Sequence, residues 1–261
     1  MKMDRLPFLL LACVAFTACT KEITLPLDDQ SNKVVIEGDV NEGSGPQTVL
    51  LSRSVGFGTP NEFPAISNAT VTLSDDQGNS EQLTETGVGI YSTSNLTGVS
   101  GRTYHLAATI DGTTFTASCL MPQAVPLDTV RIDSLEVFGE YQKLVFVSCT
   151  DPVGVGNNYR YVLRVNGEKQ KGFLVQNDLV EDGGVIEQPL NFMDDNSLYS
   201  GDVVEVTMEC IAPEIYRYFF SQAQNQGGDS AAPADPVTNI SGGALGYFSA
   251  HTSSTKSTVV P

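Results

Sequence analysis

Polar and apolar residues alternate with a period of two along most of the chain, the spacing of strands that bury one face. Residues 34–40 and 48–52 begin the series, and Ala69, Val71 and Leu73 then share one side of a third strand. Thr103–Ile110 and Thr113–Leu120 alternate on either side of Asp111-Gly112, the signature of a two-residue hairpin. Tyr104, Leu106, Ala108 and Ile110 take its inner face, which leaves His105 outside with Thr103 and Thr109. The period is lost from Met121 to Pro126, where two prolines bracket an irregular stretch, and a domain boundary is expected there. Strands resume near Thr129. Residues 144–149 lead into a Gly- and Asn-rich turn at 154–158, and Tyr159, Tyr161, Leu163 and Val165 line one side of the next strand. Asn166-Gly167 then turns the chain back through residues 168–175. Residues 176–200 are acidic, contain glycine, and predict a loop with one weak strand before a clear strand at 202–210.

Only one segment changes period. Pro213 suits a first helical position, Glu214 suits the positive end of a helix dipole, and Ile211, Ile215, Tyr218, Phe219 and Gln222 recur at spacings of three and four. A helix is therefore predicted over residues 213–226, ended by Gly227-Gly228, with its aromatic residues packed into a core. A loop over 229–238 and closing strands at 246–250 and 257–260 complete the reading. The pattern is that of a mainly β protein with two domains, 34–122 and 127–261, and one helix in the second.

The first residues belong to a different kind of pattern. Lys2 and Arg5 precede an uncharged apolar run from residue 6 to 18, too short to span a bilayer and typical of a signal peptide over residues 1–18. Phe16-Thr17-Ala18-Cys19 resembles a bacterial lipobox, with Phe16 where Leu is usual, so Cys19 is the expected lipidation site. Leu10-Leu11-Ala12-Cys13 is a competing match with a shorter apolar run, and secretion with cleavage near Ala18 is the other alternative. Residues 19–33 then form a polar tether from the bilayer to the β body. Acylation at more than one position on Cys19 would meet the requirement for stable anchoring.

Charge narrows the partners. The formal net charge of −17 makes nucleic acid and anionic membrane faces poor partners, and the acidic residues are spread along the chain as a solubilising surface. Beyond Cys13 and Cys19 the remaining cysteines are Cys119, Cys149 and Cys210, an odd number. At most one bridge can form among them. Each shares strand parity with apolar neighbours and is expected to point inward as a small hydrophobe. Neither paired cysteine ligands nor any other metal-binding spacing occurs, so no metal or cofactor is expected. Residues 75–79 (Asp-Asp-Gln-Gly-Asn) invite a calcium loop but lack its alternating ligands and distal Glu, and are read as a hairpin turn.

Catalytic patterns are equally sparse. His105 and His251 are the only histidines, no Gly-x-Ser-x-Gly turn accompanies them, and no phosphate loop or dinucleotide fingerprint occurs. The expectation is a binding protein rather than an enzyme. The best candidate for a partner surface is the Gly-containing segment after residue 238, with Asn239, Gly242, Gly243, Tyr247 and Phe248. A tight turn is the plainer reading of the same glycines.

A series of short motifs supports a resemblance: Cys19-Thr20-Lys21-Glu22-Ile23, Val34-Val35-Ile36-Glu37-Gly38, Ala69-Thr70-Val71, Gly89-Ile90-Tyr91, Gly101-Arg102-Thr103-Tyr104, Met121-Pro122, Asp151-Pro152, Asn158-Tyr159, Asn239-Ile240 and Gly246-Tyr247-Phe248. In this order they resemble a family of Bacteroidetes outer-membrane lipoproteins of unknown function, often encoded beside TonB-dependent receptors. The first half is also similar to transthyretin-like sandwiches at the level of fold. The resemblance implies two immunoglobulin-like or transthyretin-like β-sandwich domains, an outer-membrane location, and a TonB-dependent receptor as partner. It implies no catalytic residues.

Overall fold

The computed structural model describes residues 31–56, 62–137, 140–190, 198–226 and 235–261. The predicted signal peptide, Cys13, Cys19 and the predicted tether up to residue 30 lie outside the described residues, as do Gly227-Gly228 and most of the predicted 229–238 loop.

Fifteen strands and one helix form among the described residues. The first half contains β1 (Val34–Asn41), β2 (Thr48–Arg53), β3 (Thr70–Asp75), β4 (Ser80–Gln82), β5 (Thr84–Gly87), β6 (Ile90–Ser92), β7 (Thr103–Ile110) and β8 (Thr113–Leu120). The second contains β9 (Thr129–Val137), β10 (Glu140–Thr150), β11 (Asn158–Val165), β12 (Glu168–Asn177), β13 (Val185–Leu190), β14 (Val203–Cys210), α1 (Pro213–Gln226) and β15 (Leu245–Val259). Residues 121–128 carry no strand, as the two prolines require.

An eight-stranded sheet in the order β12-β11-β14-β15-β1-β2-β6-β5 is the spine of the fold, accompanied by a four-stranded sheet, β4-β3-β7-β8, and a three-stranded sheet, β13-β10-β9. The spine is continuous because of β15. Its first half runs parallel to β1 from Val35↔Leu245 to Asn41↔His251, and its second half runs antiparallel to β14 from Cys210↔Thr252 to Val203↔Val259. Two closing strands were expected; one 15-residue strand is found. Its Ser/Thr-rich middle gives no apolar signal, yet it is held by backbone pairing and by side-chain bonds such as Thr207 Oγ1 to Thr255 Oγ1 at 2.9 Å.

Two apolar clusters form. One contains Ile36, Val40, Val71, Leu73, Tyr104, Leu106 and Met121, and also takes Ile240, Ala244, Phe248 and Ala250 from the far end of the chain. The other contains Leu127, Val145, Val147, Tyr159, Tyr161, Ile186, Val204, Val206 and Met208. A single cut of the sequence therefore does not separate them. The helix lies against β12, β11 and β15, but its buried residues Ile215, Tyr218 and Phe219 belong to the first cluster, with Phe173, Val175 and Tyr247 packed alongside. Among the described residues no helix is long and apolar enough to cross a membrane.

Both predicted hairpins form. Asp111 and Gly112 have φ of 49° and 82°, and Asn166 and Gly167 have 51° and 83°, as a type I′ turn demands. The Asp75–Asn79 turn also forms: the Asp75 carboxylate accepts from the backbone N–H of Gln77 and Asn79, the Asn79 amide and the Arg102 guanidinium. Cys119, Cys149 and Cys210 are buried and unbridged.

Candidate functional site

Three groups of polar side chains are candidates for chemistry, and the sequence reading touched two of them. The first lies on the outer face of the four-stranded sheet. Cross-strand pairing aligns Ser74, His105 and Ser118 in one row and Thr72, Ala107 and Thr116 in the next. The segment 239–241 runs along the outer edge of β8 and walls this face. Ser241 N–H donates to Thr116 C=O at 2.7 Å, Thr116 N–H donates back to Ser241 at 3.3 Å, and the Asn239 amide donates to Ser118 C=O at 3.4 Å. The result is an open concavity of about 400 Å³ whose floor is His105 and a set of hydroxyls. His105 therefore sits outside the core as predicted, and the fold brings it together with Asn239.

The other expected surface residues go elsewhere. Asn239 holds the start of β15 by donating to Phe248 C=O at 2.8 Å and accepting from Phe248 N–H at 3.0 Å, so its amide acts as a substitute strand. The Phe248 ring is fully buried and is not a contact surface, because even-numbered positions of β15 face the first core. Gly242 and Gly243 are turn glycines, with φ of 102° and 85°. Tyr247 lies on the opposite face from Phe248, with its ring 5.1 Å from Tyr218 and 5.0 Å from Phe219. The five residues thus divide between a groove wall, a turn, a core and a helix interface.

The second group lies on that helix side. Tyr247 donates to Asp39 at 3.2 Å, and His251 stands between Asp39 and Glu209 with its nitrogens 3.9 and 4.0 Å from their carboxylates. The Ser249 hydroxyl is 3.1 Å from His251 Nδ1. Arg160 pairs with Glu209 at 2.9 Å and places its guanidinium 4.0 Å from the Phe219 ring centre. Ser, His and acidic residues are all present, but Ser249 and Asp39 both approach Nδ1, whereas a nucleophile relay needs them on opposite nitrogens, and Glu209 on the Nε2 side is 4.0 Å away, beyond hydrogen-bond reach. Ser249 and His251 are also buried. Desolvation raises the Asp39 carboxyl above its ordinary range against the pull of His251, and burial pushes the Tyr218 hydroxyl up to about 12. This arrangement holds α1 to the sheet: it is a polar core with a charged arginine on an aromatic face.

The third group escaped the sequence reading. Asp151 follows β10, while Asp178 and Asp182 lie in the loop between β12 and β13, and one carboxylate oxygen from each lies within 4.8 Å of the others. Asp151 and Asp178 are almost fully buried. Asp178 Oδ2 accepts from Gly156 N–H at 2.8 Å and Asn157 N–H at 2.9 Å, and Asp182 Oδ1 accepts from Gly154 N–H at 2.6 Å. Asp151 accepts from the Tyr159 hydroxyl and from Gly183 N–H at 3.2 Å. The available signal was two glycine-containing segments each carrying aspartate, at 151–158 and 178–184. Nothing local says that they meet.

One family model spans nearly all of the β body: a domain of unknown function, DUF4249, matches residues 20–257. The chain belongs to the DUF4249 family. No curated protein matches it. The match ends within β15, the strand whose pairing with both β1 and β14 joins the two halves of this DUF4249 chain.

Proposed function

We propose that this protein is an outer-membrane lipoprotein, anchored through acylated Cys19, that acts without catalysis as an accessory or binding component of a TonB-dependent uptake system. The three sheets and two apolar clusters are read as two immunoglobulin-like or transthyretin-like sandwiches that share the eight-stranded spine. The observation that carries the binding role is the walled, hydroxyl-lined concavity around His105. It offers hydrogen-bond donors and acceptors in two regular rows, while the one Ser/His/Asp arrangement is buried under the helix. The resemblance of the sequence motifs to a family of outer-membrane lipoproteins encoded beside TonB-dependent receptors supports the anchor and the receptor.

Purification of the tagged protein from membranes, with Cys19→Ser as the unanchored control, is expected to co-isolate a TonB-dependent receptor. Recovery of the lipoprotein alone, with solute uptake unchanged on its deletion, would refute the role. A stand-alone glycan or peptide binder is the second reading, favoured by the same hydroxyl rows. A thermal-shift screen separates the two, since a ligand that stabilises the protein in the absence of any receptor, and does so less when Thr116 is replaced by Lys, supports the second.

A further inference from the structure

We infer that Asp151, Asp178 and Asp182 form a binding site for a divalent cation of the calcium type, which clasps the β10–β11 loop to the β12–β13 loop. Three carboxylates converge with one oxygen each inside 4.8 Å, and two oxygens that share one Ca²⁺ lie at most roughly 5 Å apart. Among the described residues, no Lys, Arg or His forms an ion pair with any of the three.

The independent observation is Asp178. Its side chain is 1% exposed, and its Oδ1 is buried with no hydrogen-bond donor, although Oδ2 is bonded by two backbone N–H groups. A buried carboxylate oxygen without a donor is costly, and beside two further carboxylates the cost is compounded by repulsion. A cation removes both penalties at once. The donor set decides its class: all are hard carboxylate oxygens, with neither the imidazole nor the thiolate that a zinc site uses. Water would complete the six to eight oxygens that Ca²⁺ takes, since the neighbouring carbonyls of Pro152, Gly154 and Gly156 already accept from Asn157 and Asn158. Cation binding here would fix the two loops at one end of the β10–β13 half, which are otherwise joined by Asp151 N–H to Gly184 C=O at 2.8 Å and Asp178 N–H to Asn157 C=O at 3.2 Å.

The test uses the whole protein purified from membranes, stripped with a chelator and returned to Ca²⁺ or Mg²⁺. At about 100-fold excess over Kd, Ca²⁺ is expected to raise Tm by roughly 5–10 °C. Tb³⁺ should emit when excited through tyrosine, because the Tyr159 hydroxyl bonds directly to Asp151, and Ca²⁺ should displace it. Asp182 is the exposed member of the three and accepts only from Gly154 N–H, so Asp182→Asn leaves the fold intact. It should lose at least about tenfold in Ca²⁺ affinity. In chelator it should melt at or above the parent, because one of three clustered charges is gone. A parent whose Tm is the same in chelator and in Ca²⁺, or Tb³⁺ emission that survives Asp182→Asn, would overturn the inference. A larger stabilisation by Mg²⁺ than by Ca²⁺ would overturn the assignment of the ion.

Discussion

Replacing Gly246 by alanine tests whether β15 is the strand on which the whole fold depends. Gly246 has φ of 97°, and a Cβ there would lie 2.0 Å from Ile36 C=O and 2.8 Å from the Ile36 carbonyl carbon. The left-handed backbone alone costs an L-residue about 1–2 kcal/mol. The overlap is with backbone, so it can be relieved only by moving β1 and β15 apart by about 1.4 Å, enough to break one or two of their hydrogen bonds at about 1 kcal/mol each. Loosened packing of Ile36 and Phe248, both fully buried, adds to this. The expected loss is about 3–5 kcal/mol, a large part of the roughly 5–15 kcal/mol that holds a folded protein together. Gly243→Ala is the control. Its φ is 85°, but a Cβ there meets nothing within 4 Å, so only the backbone strain of about 1–2 kcal/mol applies. The chain has no tryptophan, so urea unfolding is followed by tyrosine fluorescence and far-ultraviolet circular dichroism. Equal losses for the two variants would show that the close approach to Ile36 does not matter and would refute the argument.

Two other outcomes follow from buried and hydrogen-bonded groups. Burial pushes the thiols of Cys119 and Cys149 up to about 12 and about 11, so both should resist an aromatic disulfide reagent at pH 8 in the native protein and react at once in guanidinium; rapid native labelling would contradict their placement. Desolvation of Asp75 is outweighed by its bonds from Asn79, Arg102 and Gln77, which leaves its carboxyl below the ordinary 3.8. Because the folded value is the lower one, this stability is present above about pH 4 and is lost as the pH falls through the folded value. Asp75→Asn should therefore cost stability at pH 7 and make the acid limb of the Tm profile shallower, and parallel profiles for parent and variant would count against it.

What could be read from the sequence was local. Asp111-Gly112 and Asn166-Gly167 specify their hairpins because only residues that tolerate positive φ fit a type I′ turn. Pro213 and the three-and-four spacing after it specify α1 and its first residue. The inward cysteines follow from strand parity. Non-local partners are another matter. The Ser253–Lys256 stretch has no buried apolar residue to announce a strand, and is one because β14 supplies its hydrogen bonds from more than forty residues away. Parity within Tyr247-Phe248 was decisive but depends on which side of β15 the helix covers. The carboxylates of Asp151 and Asp178 meet only because β10, β11, β12 and β13 bring two loops to one end, a fact about topology rather than about either loop.

The place of β1 gives the proposed anchor a mechanical meaning. The proposed tether would lead into β1, whose first residue is Val34 and which lies inside the spine between β15 and β2 rather than at its edge. A pull on the tether acts along β1. It therefore loads the β1–β15 and β1–β2 ladders in shear, so that the bonds from Val35↔Leu245 to Asn41↔His251 and from Val34↔Arg53 to Asp39↔Thr48 resist together. A tether attached to an edge strand would instead be peeled away one bond at a time, each worth only about 1 kcal/mol net. Resistance to force is set by the barrier to unfolding rather than by equilibrium stability, and simultaneous rupture raises that barrier. The same geometry makes the last strand a lock on the first: β15 supplies one of the two ladders that hold β1, so that ladder resists load only when the far end of the chain is folded back upon it.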